Sequence, residues 1–121
     1  MQYRKLGNSG LEVSVVGLGT NNFGGRIDYE QTVKVLNQTL DEGINFIDTA
    51  NSYGKGLSEE FIGKALKKKR HDAIIATKVA SPVGEGPNQR GASRKHILDQ
   101  IDKSLKRLQT DYIDLYQIHF P

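Results

Sequence analysis

The chain has 121 residues, of which 36% are hydrophobic and 26% charged, with a formal net charge of +3. This length allows one domain at most, and the composition is that of a globular protein without a membrane-spanning stretch. So small a positive charge does not by itself indicate nucleic-acid binding, and the absence of cysteine excludes disulfides. No apolar stretch follows Met1, so we expect no secretory signal and a cytoplasmic location.

Turn residues between two short strand-like runs predict a β-hairpin at the start of the chain. The runs cover residues 3–6 and 11–16, and residues 7–10 form the turn between them. A short first core strand is predicted over residues 15–18, and it ends in a loop that contains Gly19.

Helix signals separate the strands that follow. Asp28 and Gln31 have the spacing of a capping box at the start of the first helix. Ser58 is predicted to cap a second helix and Ser93 a third. The basic run at residues 67–70 is predicted to be a solvated helix end rather than a binding patch. The predicted buried face of the third helix consists of Ile97, Ile101, Leu105 and Leu108.

Three predicted strands each end at a charged or ionisable residue. They are residues 44–47 before Asp48, residues 73–77 before Lys78, and residues 112–118 before His119. Alternating strands and helices predict a parallel sheet, which collects the carboxyl ends of its strands at one edge. Barrels and doubly wound sheets build their sites at that edge. The topology therefore predicts that an acid, an ammonium and an imidazole lie together.

The order of elements is a hairpin, three βα units and a final strand, with one long irregular segment at residues 81–92. A complete (β/α)8 barrel needs about 200 residues or more. The last strand would also expose an apolar edge, which natural domains conceal. We therefore predict an α/β fold over residues 1–121, a single partial domain and a fragment of a longer chain. It would comprise a hairpin at residues 1–14 followed by strands 1–4 and helices 1–3.

Tyr53 lies five residues beyond Asp48 and completes a four-residue set of Asp48, Tyr53, Lys78 and His119. A free phenol, with a pKa of about 10, is a poor proton donor at neutral pH, and a nearby ammonium improves it by stabilising the phenolate. Asp48 could hold Lys78 in place, and His119 could orient a carbonyl oxygen. The set suits proton delivery to a carbonyl while a nicotinamide cofactor supplies hydride.

Each member of this set also has a purely structural alternative. Asp48 could cap a turn, and Tyr53 could be a packing residue. Lys78 could extend its amine from a strand end into solvent, and His119 could be a half-buried imidazole with satisfied hydrogen bonds. Their joint occurrence at successive strand ends favours the chemical interpretation.

Several ordered motifs of the chain resemble those of the aldo-keto reductase family, and together they cover its whole length. The principal motif is residues 43–50, followed by Tyr53-Gly54, Ser58-Glu59 and Ile62-Gly63. The others are residues 3–14, residues 17–20, Thr77-Lys78, residues 93–95, residues 104–108, residues 111–114 and His119-Phe120-Pro121.

The resemblance implies an oxidoreductase on a TIM barrel that reduces aldehydes and ketones with NADPH, with a small-molecule carbonyl substrate and no metal. Of the four-residue set, Tyr53 would be the acid, Lys78 and Asp48 its tuning pair, and His119 the substrate orienter. Gly19, Thr20 and Asn21, together with Asp48, would lie near the nicotinamide ribose. This part of the chain would form the N-terminal half of the barrel, with the hairpin at its bottom. Residues that grip the rest of the cofactor would come from later strands, so these 121 residues alone should bind NADPH weakly.

Two rival interpretations remain. The opening motif and residues 90–108 resemble a branch that includes potassium-channel β subunits, which would make this a non-catalytic interaction or regulatory subunit. Those subunits commonly carry another residue at the position of His119, so the imidazole favours an enzyme. The second rival is a half-barrel that pairs with a copy of itself as a homo-oligomer through exposed strand edges. For the chain itself we expect no nucleic-acid partner and no membrane insertion.

Overall fold

The computed structural model describes residues 1–121, which form a small hairpin and a four-stranded parallel sheet. The antiparallel hairpin consists of β1 (Tyr3–Lys5) and β2 (Glu12–Ser14). The sheet has the order β3 (Gly17–Gly19), β4 (Phe46–Asp48), β5 (Ile74–Val79) and β6 (Leu115–Ile118). Three helices connect the strands: α1 (Tyr29–Asp41), α2 (Leu57–Ala65) and α3 (Arg94–Leu108). The predicted α/β fold with a parallel sheet behind a hairpin is confirmed.

The hairpin is fixed to the amino end of the sheet through the residue before β4. Ser14 N donates to Asn45 Oδ1 at 2.8 Å, and Asn45 N donates back to Ser14 Oγ at 3.1 Å. Tyr3 Oη also donates to Gly43 O at 2.7 Å. The hairpin therefore lies at the opposite end of β4 from Asp48.

Local capping chemistry sets two of the three helix starts as predicted. Asp28 and Gln31 form a reciprocal capping box at α1, and Ser93 Oγ accepts from His96 N at α3. The prediction for Ser58 is wrong, because α2 begins at Leu57 with Gly56 as its N-cap. The Ser58 hydroxyl instead joins a buried cluster, where its Oγ is 2.9 Å from Thr20 Oγ1 and 2.8 Å from Thr49 Oγ1.

The core lies between the sheet and the helices. Residues alternate between the two faces of each strand, and Ile47 and Ile75 are paired in register on the buried face. Each fully buried Ile or Leu side chain contributes about 2 kcal/mol through the hydrophobic effect. Val15 and Val16 are exposed, so the first core strand begins only at Gly17. The buried cluster consists of Phe23, Leu36, Ile47, Ile62, Leu66, Ala73, Ile75 and Leu108.

The buried face of α3 is more polar than its hydrophobic pattern predicts. Ile97, Ile101 and Leu105 are only half-buried, and the residues with the least exposure are His96, Gln100, Ser104 and Leu108. The polar row is buried because it meets polar groups from elsewhere: Gln100 Oε1 accepts from Asn51 Nδ2 at 3.0 Å. At Gly63 a Cβ atom would overlap the backbone of Arg107 and Leu108, so glycine allows α2 and α3 to pack closely.

The basic run at residues 67–70 is not uniformly solvated, because its last member is buried. The Arg70 guanidinium donates to Ala73 O at 2.7 Å and to Asp114 Oδ2 at 2.9 Å, and it stacks over the Tyr112 ring. Asp114 Oδ2 also accepts from Ile75 N at 2.9 Å. Arg70 is therefore a structural link between β5 and the segment before β6, and the prediction of a solvated end is wrong for this residue.

Candidate active site

The four-residue set meets at the carboxyl edge of the parallel sheet. Asp48 is the last residue of β4, Lys78 lies next to the end of β5, and His119 follows β6 directly. Tyr53 begins a short 3-10 turn, Tyr53–Gly56, in the loop after β4. In that turn Gly54 and Lys55 both have positive φ, a conformation that folds the loop back over the strand ends.

The Lys78 ammonium is the centre of this arrangement. Its Nζ donates to Asp48 Oδ1 at 2.8 Å, to Asp48 Oδ2 at 2.7 Å and to Thr49 O at 2.9 Å. The Lys78 side chain is 13% exposed and that of Asp48 is 35% exposed. An ammonium has three N–H donors, and Asp48 and Thr49 supply the acceptors nearest to them. Lys78 is therefore anchored rather than extended into solvent.

Tyr53 lies against this ion pair. Lys78 Nζ is 3.4 Å from Tyr53 Oη and 5.1 Å from the centroid of its ring. The Tyr53 ring and the imidazole of His119 are nearly perpendicular, with centroids 5.9 Å apart and planes at 81°. Both rings are half-exposed, so a small molecule can reach them.

Two polar side chains outside the four-residue set contact it, and sequence reasoning did not identify them. Gln117 Nε2 lies 3.4 Å from Asp48 Oδ1, and Ser81 Oγ lies 3.3 Å from His119 Nδ1. The signal for Gln117 is its period-two position before His119, which pairs it in register with Lys78. Ser81 begins the irregular segment at residues 81–92, and no sequence pattern distinguishes it there.

The three residues expected near a cofactor ribose follow β3 at the same edge of the sheet. Gly19 pairs with Asp48 in register, and both Gly19 and Asn21 are exposed. Thr20 is fully buried: its N and its Oγ1 both donate to Asp48 O, at 3.1 and 2.9 Å. The Thr20 side chain therefore supports the Asp48 backbone, while Gly19 and Asn21 remain open to a ligand.

A second ionic network lies behind the site, on the helix-covered face of the sheet. Glu59 Oε1 accepts from Arg107 Nε at 2.8 Å, and Glu59 Oε2 accepts from Thr77 Oγ1 at 2.7 Å. Burial, together with the nearby Glu59 carboxylate, raises the pKa of Tyr116 to about 12. Tyr116 Oη has no hydrogen-bond partner in the protein, so no donor stabilises its phenolate form.

The comparison with known proteins identifies the family. Residues 15–121 match the model of the aldo/keto reductase family. The chain belongs to the aldo-keto reductase family. Its members are oxidoreductases that bind nicotinamide cofactors and act on small carbonyl compounds. The resemblance of the sequence motifs to this family is thereby confirmed.

Individual relatives include both reductases and channel subunits. The chain is 45% identical to aldo-keto reductase YhdN of Bacillus subtilis and 42% identical to a probable voltage-gated potassium channel subunit beta of Arabidopsis thaliana. In each case all of this chain aligns with 38% of the relative. The structure matches aldo-keto reductase AKR11C1 from Bacillus halodurans (holo form) with a TM-score of 0.88 and 43% identity, over 98% of this chain and 40% of that one.

The chain thus spans about two fifths of the length of the relatives it matches. The structural match agrees with the expectation of the N-terminal part of a barrel-type reductase fold. No helix has the length and hydrophobicity that a membrane crossing requires. No cluster of three or more His, Cys, Asp or Glu side chains suited to a metal ion is present.

Proposed function

We propose that the protein carrying this chain reduces aldehydes or ketones to alcohols, with NADPH as reductant and Tyr53 as proton donor. The observation that carries this proposal is the contact of 3.4 Å between Lys78 Nζ and Tyr53 Oη, with the same ammonium held by both Asp48 oxygens. A lysine fixed in this way puts an ammonium beside a phenol. That arrangement suits proton transfer to a carbonyl oxygen.

The role of Lys78 is electrostatic. When Tyr53 gives its proton to a carbonyl oxygen, the phenolate that remains is attracted by an ammonium 3.4 Å away. At this range two unit charges interact by about 1–5 kcal/mol, depending on how much water screens them. The Asp48 carboxylate opposes part of this attraction, but it also prevents Lys78 from turning into solvent. Asp48 is therefore proposed as the residue that positions Lys78.

His119 is proposed to orient the carbonyl. Its imidazole lies beside the Tyr53 ring, with centroids 5.9 Å apart, so one carbonyl oxygen can accept from the imidazole N–H and from the phenol together. Two donors on one oxygen withdraw electron density from the carbonyl carbon and fix its direction. The proton from Tyr53 then becomes the hydroxyl proton of the alcohol, and Tyr53 regains a proton from water.

The residues at this edge fit the nicotinamide end of a cofactor. Asp48 is 35% exposed, so its carboxylate can accept from ribose hydroxyls while it holds Lys78, and Gly19 beside it leaves space for close approach. When bound, the nicotinamide supplies the hydride that no amino-acid side chain can supply. The proposed ligands are therefore NADPH and a reducible carbonyl compound. The proposed location is the cytoplasm.

The test is to follow NADPH oxidation by the full-length protein with a panel of aldehydes and ketones, and to repeat it with NADH. Tyr53→Phe should lower the rate about a hundredfold or more, since a general acid contributes about 10²–10⁴-fold, while NADPH binding measured by fluorescence stays near the wild-type value. Tyr29→Phe, a half-exposed tyrosine outside the site, is the matched control. Unchanged turnover in Tyr53→Phe would remove this residue from the proton-donor role.

A second candidate is a regulatory subunit, favoured by the 42% identity to a probable potassium channel subunit beta. This function predicts a direct complex with a cytoplasmic channel domain, measurable by calorimetry, and unaffected by Tyr53→Phe. His119 favours the reductase, because a docking role does not need an imidazole beside Tyr53. A protein that binds the channel domain and oxidises no NADPH with any carbonyl would decide for the subunit.

A further inference from the structure

The irregular segment at residues 81–92 begins with a sharp backbone turn next to His119. The pairing of β5 with β6 continues one residue beyond β6, since His119 N donates to Val79 O at 2.8 Å. The next residue, Ala80, is 2% exposed and has a φ of +124°, a backbone angle that residues other than glycine rarely adopt. Gly91 N donates to Ala80 O at 2.8 Å and so closes the loop onto this turn.

The turn at Ala80 directs the next side chain to the imidazole. Ser81 Oγ lies 3.3 Å from His119 Nδ1, and this is the one hydrogen bond that the Ser81 hydroxyl makes. Strained backbone of this kind persists only where the surrounding structure fixes it, and it is concentrated at functional sites. Here the strain of Ala80 is what brings Ser81 to His119.

The chemistry of imidazole gives this contact a consequence. A neutral imidazole has one N–H donor and one bare nitrogen, and the partner of one nitrogen decides the state of the other. If the Ser81 hydroxyl donates to Nδ1, the proton of His119 is on Nε2. If Nδ1 carries the proton instead, Nε2 presents a lone pair and repels a carbonyl oxygen.

We propose that Ser81 is a positioning residue that holds neutral His119 in the tautomer with its proton on Nε2. This inference rests on the proposed function, because a carbonyl oxygen needs a donor and the Nε2–H group is the one left free. The Ser81 hydroxyl is free to donate, since it has no other acceptor in the protein. Tyr53 packs beside the imidazole ring, and Ser81 contacts its Nδ1.

The test is a long-range ¹H–¹⁵N spectrum of the full-length protein labelled at its histidines, which reads the tautomer of each ring directly. It is recorded at alkaline pH, in the range where the ¹⁵N shifts of the rings no longer change with pH. The signals of His119 are assigned as those that disappear in His119→Gln. The wild type should show the proton on Nε2, and Ser81→Ala should raise the Nδ1–H fraction.

The same variants are assayed for turnover. A neutral hydrogen bond of this kind corresponds to about a two- to tenfold effect, so Ser81→Ala should lower kcat by about that factor and leave NADPH binding unchanged. Ser81→Thr, which keeps the hydroxyl, should restore both the tautomer and kcat. Ser52→Ala is the matched control, since Ser52 lies in the neighbouring loop and makes no capping hydrogen bond.

Several results would overturn the inference. One is a wild-type His119 with its proton on Nδ1, which can be read even if Ser81→Ala does not fold. Another is a Ser81→Ala spectrum identical to that of the wild type. Failure of the proposed function is distinct, since a protein that reduces no carbonyl still reports the tautomer of His119. If the tautomer of His119 depended on Ser81 in a protein without reductase activity, the positioning role of Ser81 would stand and the proposed reductase function would be rejected.

Discussion

Removing the positive partner of the buried Glu59 should destabilise the protein far more than removing an exposed lysine. Glu59 is 0% exposed, and Arg107, which donates to Glu59 Oε1 through Nε, is 20% exposed. The substitution that isolates the charge is Arg107→Met, because methionine retains most of the apolar stem of arginine. Glu59 would then keep Thr77 Oγ1 as its remaining hydrogen-bond partner.

The expected cost follows from the burial of the carboxylate. Breaking a buried ion pair by removing one partner costs about 3–5 kcal/mol. Because Arg107 is partly exposed and one hydrogen bond to Glu59 remains, we expect the lower end, about 3 kcal/mol. The double variant Glu59→Met with Arg107→Met should recover most of this loss, short of about 1 kcal/mol for the unpaired Thr77 hydroxyl.

The assay is urea unfolding followed by circular dichroism. The matched control is Lys95→Met, which breaks the exposed pair of Lys95 and Asp99, with side chains 64% and 51% exposed. Lys95→Met should lower the free energy of unfolding by at most about 0.5 kcal/mol. If Arg107→Met were no more costly than Lys95→Met, or if the double variant were as unstable as the single one, the reasoning about the buried charge would be refuted.

Two further predictions concern Lys78 and Tyr116. Lys78→Met should lower carbonyl reduction about a hundredfold or more. The matched control is Lys55→Met, which removes an exposed cation of the turn Tyr53–Gly56 and should leave the rate near that of the wild type. Equal rates of the two variants in steady-state assays would reject the role of Lys78. Tyr116→Phe should be at least as stable as the wild type at neutral pH, because it removes a buried hydroxyl that has no partner. The pKa of Tyr116 rises from 10.0 to about 12 on folding, so the wild type should lose stability as the pH rises from 10 to 12. Urea unfolding at several pH values measures this loss, and Tyr116→Phe should lack the part that comes from Tyr116. If the free energy of unfolding fell equally with pH in both proteins, the raised pKa of Tyr116 would be contradicted.

Features that depend on neighbours in sequence could be predicted. The capping box of Asp28 and Gln31 and the cap at Ser93 are local, because each hydrogen bond spans three residues. The meeting of Asp48, Lys78 and His119 also follows from sequence, since a parallel sheet brings successive strand ends to one edge. For this reason the architecture and the four-residue set could be inferred before any distance was known.

Features that depend on distant partners could not be predicted. Arg70 looks like part of a solvated basic run, and only the fold brings Asp114 to it. The hydrophobic pattern of α3 predicts that its apolar row is buried, but this row is only half-buried. The polar row is buried instead, because Gln100 meets Asn51, and no local pattern shows that contact. The same is true of Ser81. Its contact with His119 depends on a backbone turn at Ala80 that the sequence does not specify.

The central claim is that Tyr53, activated by the anchored Lys78, gives the proton that accompanies hydride transfer to a carbonyl. The most direct measurement is a single turnover of the full-length protein with NADPH deuterated at the transferring carbon and an aldehyde in excess, with the product analysed by mass spectrometry. The wild type should give alcohol labelled at the former carbonyl carbon, and Tyr53→Phe, saturated with the same cofactor, should give it about a hundredfold more slowly or not at all. Labelled alcohol formed by Tyr53→Phe at the wild-type rate would contradict the account.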